Sequence, residues 1–152
     1  MMIQVREKVR FVETDLMGVV HHSNYLRWFE MARVEYLREA DILLLDLIRN
    51  GIVFPITKVE CKYISSAYFD DWLVIEAVMI ECHKAKMEFA YRITREADHI
   101  VLAEGYTQNL FTTSEGKVTR LPDEYFEKLK HIKIKENQIP DWARKWMRSG
   151  KA

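Results

Sequence analysis

Glycine and cysteine are scarce in this sequence of 152 residues, which contains five glycines and two cysteines. It has no glycine-rich phosphate-binding loop, no dinucleotide-binding fingerprint and no G-x-S-x-G nucleophile motif. Cys61 and Cys82 do not form a C-x-x-C pair and lie in apolar, strand-like segments. We therefore expect two reduced core thiols without a redox or metal role.

Excess charge and long apolar runs are also absent. The 23 basic and 23 acidic residues cancel, unlike the basic excess of a dedicated nucleic-acid-binding protein. No apolar run approaches the ~20 residues of a membrane helix, and residues 1–15 lack the apolar segment of a signal peptide. The sequence thus predicts a cytoplasmic protein with no nucleic-acid partner and no transmembrane segment.

The spacing of apolar residues changes from strand-like to helical within the first forty residues. Residues 3–11 alternate loosely and predict a strand, and residues 12–22 are polar and predict a loop. From Asn24 to Ala40 the apolar residues recur with a helical period. The apolar face consists of Tyr25, Phe29, Ala32, Tyr36 and Ala40. So wide an apolar band is typical of a helix that other elements enclose.

Four segments rich in β-branched and aromatic residues follow this helix. They lie at residues 53–64, 72–83, 87–95 and 100–112. Their connections are too short for crossover helices, so we expect adjacent strands to be antiparallel. One long helix against one antiparallel sheet is an α+β architecture. A short amphipathic helix is predicted over residues 123–131, directly after Pro122.

The C-terminal residues differ in character from the rest of the chain. We expect a single domain over residues 1–135 and a helical extension over residues 136–152. Ile139, Trp142 and Trp146 place an apolar stripe on this otherwise basic extension. Packing of the stripe on its own domain is the simplest expectation, and a neighbouring subunit or a partner is the alternative.

The densest group of reactive side chains lies in residues 10–25, directly before the long helix. These side chains are Glu13, Asp15, His21 and His22. The first turn of the helix has no acidic residue, so its unpaired N–H groups and partial positive charge favour an oxyanion or a polarised carbonyl. Ser23 or Asn24 is available to cap the helix. A carboxylate just upstream could act there as a base or nucleophile.

Two other interpretations of the loop are compatible with its residues. In a structural loop, Asp15 would cap a turn or form a salt bridge, and the histidines would be solvated. A metal site is disfavoured, because the spacing D-x5-H-H matches no metal-ligand pattern and adjacent histidines on an extended chain point in opposite directions. Spacing alone favours the structural interpretation.

Residues 12–33, V-E-T-D-L-M-G-V-V-H-H-S-N-Y-L-R-W-F-E-M-A-R, resemble the signature of a known family. This is the 4-hydroxybenzoyl-CoA thioesterase-like branch of the hotdog superfamily, which includes the short-chain acyl-CoA thioesterases associated with the Tol-Pal system. Its pattern joins an aspartate, Gly-Val-Val, a histidine-containing pair, Asn-Tyr-Leu and a helix with Glu-x-Ala-Arg. The resemblance is dense over residues 10–40. It extends to about residue 131 through the strand order and residues 113–122.

The resemblance implies a hotdog fold, in which a curved antiparallel sheet wraps one long central helix. It implies dimers whose sheets join edge to edge, often paired into tetramers, with active sites at the subunit interface. The implied activity is hydrolysis of a small acyl- or aroyl-CoA. No cofactor is implied, since coenzyme A is part of the substrate.

The resemblance also implies roles for individual residues. Asp15 matches the essential carboxylate, which acts as nucleophile or as general base. His22 matches the position whose backbone N–H polarises the thioester carbonyl, with its side chain also in the site. Gly18 would let the loop pass close to the substrate, and Tyr25 would line the acyl pocket. The other residues predicted to bind substrate are Val19, Ser23, Lys58 and Lys62, the lysines for the CoA phosphates; no metal ligand is predicted.

Three further expectations concern Arg33, the acyl preference and the alternative functions. Arg33, on the apolar helix face, is expected to be ion-paired and structural. Glu13, His21, Leu16 and Met17 depart from residues common in the family and leave the acyl preference open. An acyl-carrier-protein thioesterase and a non-catalytic acyl-CoA-binding module are the alternative functions, the latter disfavoured by the presence of Asp15.

Overall fold

A five-stranded antiparallel sheet organises the computed structural model, which describes residues 1–147. The strands are β1 (Met2–Lys8), β2 (Ile56–Tyr63), β3 (Trp72–Cys82), β4 (Lys86–Arg95) and β5 (Val101–Leu110). The helices are α1 (Ser23–Glu39), α2 (Leu44–Arg49), α3 (Asp123–Ile132) and α4 (Asp141–Arg144), with short 3₁₀ helices at Phe11–Glu13 and Glu136–Gln138. The predicted α+β class is confirmed. No helix within residues 1–147 is long and apolar enough to cross a membrane.

The strand order in the sheet is β1-β3-β4-β5-β2. Every neighbouring pair is antiparallel, and the short connections predict this for β3 with β4 and for β4 with β5. Two neighbouring pairs join strands that are not consecutive in the chain, β1 with β3 and β5 with β2. Strand β2 does not lie beside β3, because residues 64–71 carry the chain across the sheet. Strand β5 follows β4 through a tight turn and then pairs with β2 on its other side. Strands β1 and β2 are therefore the two edges of the sheet.

Helix α1 packs on one face of the sheet through its apolar side. Its buried hydrophobic residues are Tyr25, Trp28, Phe29, Ala32, Tyr36 and Leu37. The ring of Phe29 stacks on Tyr91 of β4 at 4.4 Å between centroids. A Cβ on Gly105 of β5 would lie 2.5 Å from Cζ of Phe29. Glycine at position 105 thus allows the helix to approach the sheet this closely.

Arg33 of α1 is buried, with 3% of its surface exposed. Its Nη1 donates a hydrogen bond to the Tyr91 hydroxyl at 3.0 Å. That hydroxyl also lies 2.6 Å from Oγ1 of Thr107, with which it shares a hydrogen bond. The expectation of an ion pair is wrong for residues 1–147, where no carboxylate lies within ion-pair distance of Arg33. The phenol of Tyr91 on β4 accepts a hydrogen bond from Arg33 in place of an ion pair.

A bulge in β2, between Ile56 and Lys58, determines which side chains face α1. Cys61 packs against the core beneath the helix. Because side chains alternate along a strand, Val59 and Tyr63 share that face. Lys58 and Lys62 consequently lie on the opposite face of the sheet.

The chain beyond α3 covers the other face of the sheet. Ile139, Ala143 and Trp146 are buried there in one cluster with Val78, Ile80, Ala90 and Tyr106 of the sheet. The guanidinium of Arg92 lies 4.9 Å from the ring centroid of Trp142. The apolar stripe therefore contacts its own sheet. Within residues 136–147 only α4 is α-helical, since Pro140 precedes it and it ends at Arg144; residues 148–152 lie outside the described range.

Candidate active site

The loop before α1 contains a tight turn around Asp15. Thr14 and Val20 form an isolated β-bridge. Inside it, the Asp15 N–H donates to the Val19 carbonyl at 2.9 Å and the Gly18 N–H donates to the Asp15 carbonyl at 3.0 Å. Gly18 has a φ of +81°, which residues with a Cβ rarely adopt, and no atom lies within 4 Å of an added Cβ. Glycine is therefore favoured here by the positive φ of the turn, and not by crowding from neighbouring atoms.

The connection between β2 and β3 holds this turn in place. The Val20 N–H donates to the Ala67 carbonyl at 2.9 Å, and Val19 forms a β-bridge with Tyr68. Ala67 itself is fully buried. The long path of residues 64–71 across the sheet therefore supports the Asp15 turn.

The second carboxylate of the loop, Glu13, has a structural environment. It is 4% exposed, and its Oε1 accepts the Arg10 N–H at 2.7 Å. Its carbonyl accepts the His21 N–H at 2.9 Å and Nδ2 of Asn24 at 3.0 Å. Glu13 thus joins the short 3₁₀ helix to the beginning of α1.

The Asp15 side chain is half-buried and oriented by one hydrogen bond. Its Oδ1 accepts the Met17 N–H at 2.8 Å. Among residues 1–147 no cation forms an ion pair with Asp15, and no donor is bonded to its Oδ2. The turn therefore fixes the direction of the carboxylate and leaves one oxygen available.

Helix α1 begins without a side-chain cap. Its N-cap residue is His22, which has helical dihedral angles (φ −55°, ψ −29°). Neither predicted cap acts as one: the Ser23 hydroxyl pairs with Nδ1 of His21 at 2.8 Å, and the Asn24 amide donates to the Glu13 and His21 carbonyls. In the described part of the chain, the His22 N–H has no hydrogen-bond acceptor. An unpaired N–H at a helix N-terminus can stabilise a developing oxyanion.

The two histidine rings lie side by side, with centroids 4.2 Å apart. The expectation that they point in opposite directions is wrong, because His22 is already helical and not extended. The His22 ring also meets Tyr63 edge-on at 6.3 Å. Within residues 1–147, no three His, Cys, Asp or Glu side chains are placed to hold a metal ion.

Four of the predicted site residues line one cavity of about 310 Å³. They are Asp15, Val19, His22 and Tyr25. Residues 63–66 form the facing wall. These wall residues were not identified from the sequence, since they approach α1 only through the strand order of the sheet. Gly18 and Ser23 adjoin the lining residues in the chain, whereas Lys58 and Lys62 lie on the far face of β2.

Two phenols in this cavity remain protonated at neutral pH. Burial raises the pKa of Tyr25. Burial, together with the neighbouring Cys61 thiol, raises the pKa of Tyr63 to about 12. The Tyr63 hydroxyl donates to the carbonyl of His22 at 3.2 Å. A neutral donor therefore contacts the residue that carries the unpaired N–H.

Known proteins resemble this chain over most of its length. A protein of Aquifex aeolicus with the provisional name of an esterase is 32% identical over 125 residues, which are 82% of this chain and 95% of that protein. The acyl-CoA thioesterase YbgC of Haemophilus influenzae is 34% identical over 89 residues, 58% of this chain and 65% of that protein. The crystal structure of a hypothetical protein from Thermus thermophilus superposes with a TM-score of 0.82 at 32% identity, covering 89% of this chain and 100% of that one.

A family model agrees with these relatives. The model described as the thioesterase-like superfamily matches residues 9–147. This match includes the Asp15 turn, strands β2 to β5 and the C-terminal residues packed against the sheet, and it begins directly after β1. By this match and by its fold, the chain belongs to the thioesterase-like superfamily of hotdog proteins.

Proposed function

We propose that this protein hydrolyses the thioester bond of a small acyl- or aroyl-CoA to a free acid and coenzyme A. The observation that carries the proposal is the presence of the Asp15 carboxylate and the unpaired His22 N–H at one cavity. A relative named as an acyl-CoA thioesterase supports the choice of thioester. In this proposal α1 is the central helix of the hotdog fold, wrapped by the curved sheet.

The reaction needs an attacking oxygen and stabilisation of one negative charge. Oδ2 of Asp15 either takes a proton from a water molecule that attacks the carbonyl carbon, or attacks that carbon itself, in which case loss of coenzyme A gives an anhydride that water then cleaves. The His22 N–H donates to the carbonyl oxygen as it becomes an oxyanion. The C–S bond then breaks, and coenzyme A leaves as a thiolate, which needs little help from an acid.

The remaining predicted residues have supporting roles in this scheme. Tyr25 and Val19 line the acyl pocket, Gly18 permits the Asp15 turn, and Ser23 keeps the first turn of α1 polar. Lys58 and Lys62 are proposed to contact CoA phosphates. Because they lie on the outer face of β2, they would do so only where the nucleotide passes around the sheet edge.

We also propose a dimer formed through β2, with or without further pairing into a tetramer. As an edge strand, β2 has unpaired backbone groups along one side. Three of its side chains facing α1, Ile56, Val59 and Tyr63, are 43–47% exposed. A second copy pairing antiparallel with β2 would satisfy the backbone and cover these side chains.

The test is release of free thiol from short, long and aromatic acyl-CoAs. Asp15→Asn keeps the size of the side chain and is expected to lower kcat roughly 100-fold or more while the protein stays folded. Asp41→Asn is the matched control, since Asp41 is an exposed aspartate paired with Lys128 away from the cavity. Near-normal turnover by Asp15→Asn would contradict the assignment.

The same assay separates the alternative functions. Faster hydrolysis of an acyl-carrier-protein thioester than of the matched acyl-CoA would indicate the carrier-protein enzyme. Binding of acyl-CoA without release from either substrate would indicate a non-catalytic module.

A further inference from the structure

A second cavity of about 420 Å³ lies at the other end of β2. Its walls are apolar side chains from α1, α2 and residues 53–56, among them Val34, Ile48 and Phe54. Arg33 is also part of the lining. Arg33 and Glu30 are the two charged residues of the lining, and the other lining residues are apolar.

The Arg33 guanidinium lacks a counter-charge in the described part of the chain. One nitrogen, Nη1, is used by the Tyr91 hydroxyl, whereas Nε is buried and unpaired within residues 1–147. Glu30 lines the same cavity but is exposed and forms no ion pair with Arg33. A buried cation without an anion is costly. A guanidinium has the geometry that binds a carboxylate with up to two hydrogen bonds, and Nη1 is the nitrogen of Arg33 that the Tyr91 hydroxyl already uses.

The symmetry of the proposed dimer brings the two cavities together. The Asp15 cavity lies at the Tyr63 end of β2, and the Arg33 cavity lies at the Ile56 end. Two copies of β2 related by a two-fold axis are antiparallel, so the Ile56 end of one strand lies beside the Tyr63 end of the other. Both cavities open on the face of the sheet that carries α1. Neighbouring strands lie only about 4.8 Å apart, so in this dimer each Asp15 cavity would lie beside the partner's Arg33 cavity.

We infer that the two cavities form one acyl site across the dimer, and that the partner's Arg33 binds a carboxylate at the far end of the acyl group. The substrate class is then the monothioester of coenzyme A with a dicarboxylic acid. The apolar walls contact the methylene chain, and the carboxylate supplies the missing counter-charge. This inference rests on the proposed thioesterase function and its dimer.

The first experiment compares substrates in the unaltered protein. Adipyl-CoA and suberyl-CoA carry a terminal carboxylate, and hexanoyl-CoA and octanoyl-CoA are the neutral compounds of the same chain length. We expect kcat/KM to be roughly tenfold to 100-fold higher for at least one carboxylated substrate than for its neutral match. Equal or higher values for both neutral substrates would overturn the inference and leave thioester hydrolysis intact. Failure on these four with hydrolysis of another acyl- or aroyl-CoA would overturn the inference alone, and failure on every acyl- and aroyl-CoA would overturn both.

The second experiment changes the arginine. Arg33→Met keeps the apolar stem and removes the charge, so it is expected to abolish the preference for the carboxylate while neutral substrates are still hydrolysed. Arg33→Lys keeps the charge without the two-pronged geometry and is expected to retain part of the preference. Arg27→Met, at an exposed position of the same helix, is the control for loss of one positive charge. An equal loss on both kinds of substrate in Arg33→Met, with folding intact, would contradict the role.

The third experiment tests whether the arginine acts across the interface. Asp15→Asn and Arg33→Met chains are co-expressed with different tags, and the mixed dimers are isolated. If the partner subunit supplies Arg33, one of the two sites in each mixed dimer has both native residues, so about half of the native activity on the carboxylated substrate returns. If both residues act within one chain, no site has both native residues and activity on the carboxylated substrate does not exceed that of the Arg33→Met protein, which would overturn the shared site. Should Arg33→Met fail to fold, the comparison of substrates in the unaltered protein still decides the substrate class.

Discussion

Asp15 has both a structural and a proposed chemical role, and its surroundings separate the two. Its backbone closes the turn with Val19 and Gly18, and its Oδ1 accepts the Met17 N–H. These contacts correspond to the structural interpretation of the loop, without the salt bridge. They leave Oδ2 without a hydrogen-bond partner within residues 1–147, and Asp15 and His22 line the same cavity. A carboxylate held in this way is oriented before substrate arrives.

Gly18 allows a prediction in which stability and activity are separated. Gly18 and Gly116 both have positive φ, at +81° and +89°, and both have open space around an added Cβ. Alanine at either position is expected to cost about 1 kcal/mol of folding free energy through backbone strain. Only Gly18→Ala should also lower kcat/KM, because it disturbs the Asp15 turn. Urea unfolding and thiol release measure the two effects, and equal activity of both variants would count against a catalytic turn.

At the scale of secondary structure, the spacing between α1 and the sheet depends on Gly105. An alanine there would meet the Phe29 ring and would come within 3.0 Å of the backbone oxygen of Glu60. We expect Gly105→Ala to destabilise the fold by about 1–3 kcal/mol, measured by urea unfolding.

A double variant provides the control for this contact. Phe29→Leu removes the ring, so the cost of Gly105→Ala should be smaller in the Phe29→Leu background than in the native one. Additive costs would show that the ring does not cause the destabilisation.

The edge strand β2 gives a prediction about assembly. Val59 lies near the middle of β2 and is 44% exposed. In a dimer through β2 the two copies of Val59 are close to each other, so Val59→Lys places two positive charges together and is expected to give monomers. Light scattering measures the mass, and thiol release should fall with the dimer fraction.

The control for Val59→Lys is Val118→Lys, because Val118 is 61% exposed outside the sheet edge. This variant should keep the native mass and activity. A dimer of unchanged stability in Val59→Lys would exclude β2 as the interface.

For the whole molecule, raised pKa values predict loss of stability in alkaline solution. Burial raises the pKa of Cys82 from 9.0 to about 11, and the pKa of Tyr63 is raised to about 12. Between pH 9 and 11 the Cys82 thiol loses its proton in the unfolded chain but keeps it in the folded one. The folded state then binds more protons, so the free energy of unfolding falls as pH rises through this window and is fully retained below pH 9.

Chemical denaturation at pH 8, 9, 10 and 11 measures this dependence. Cys82→Ala is expected to be less stable at pH 8 because it leaves a small cavity, but to lose less stability between pH 9 and 11. If the free energy of unfolding of the native protein stayed constant up to pH 11, the raised pKa of Cys82 would be contradicted.

The two faces of the sheet also differ in how they are covered. Helix α1 covers one face, and the residues after α3 cover much of the other, where Lys145 forms an ion pair with Glu104. The apolar stripe of Trp142 and Trp146 was visible in the sequence, but three possible destinations fitted it. In the structure the stripe packs on its own sheet, because the chain after α3 returns over the face of the sheet opposite α1.

The sequence by itself determined the α+β class, the bounds of α1 to within a residue or two, and the residues of the Asp15 loop. These features depend on local periodicity, turn chemistry and a motif of about twenty consecutive residues. Tertiary structure decided the position of β2 beside β5, the neutral contact of Arg33, the facing of Lys58 and Lys62 away from α1, and the free N–H of His22. Each of these depends on contacts between residues far apart in the chain, or on one bulge that reverses the alternation of a strand, and no local pattern encodes them. Asp15 was recognisable from its neighbours in sequence, but the facing wall of the cavity beside it is formed by residues 63–66, at the end of β2 and the beginning of the segment that crosses the sheet.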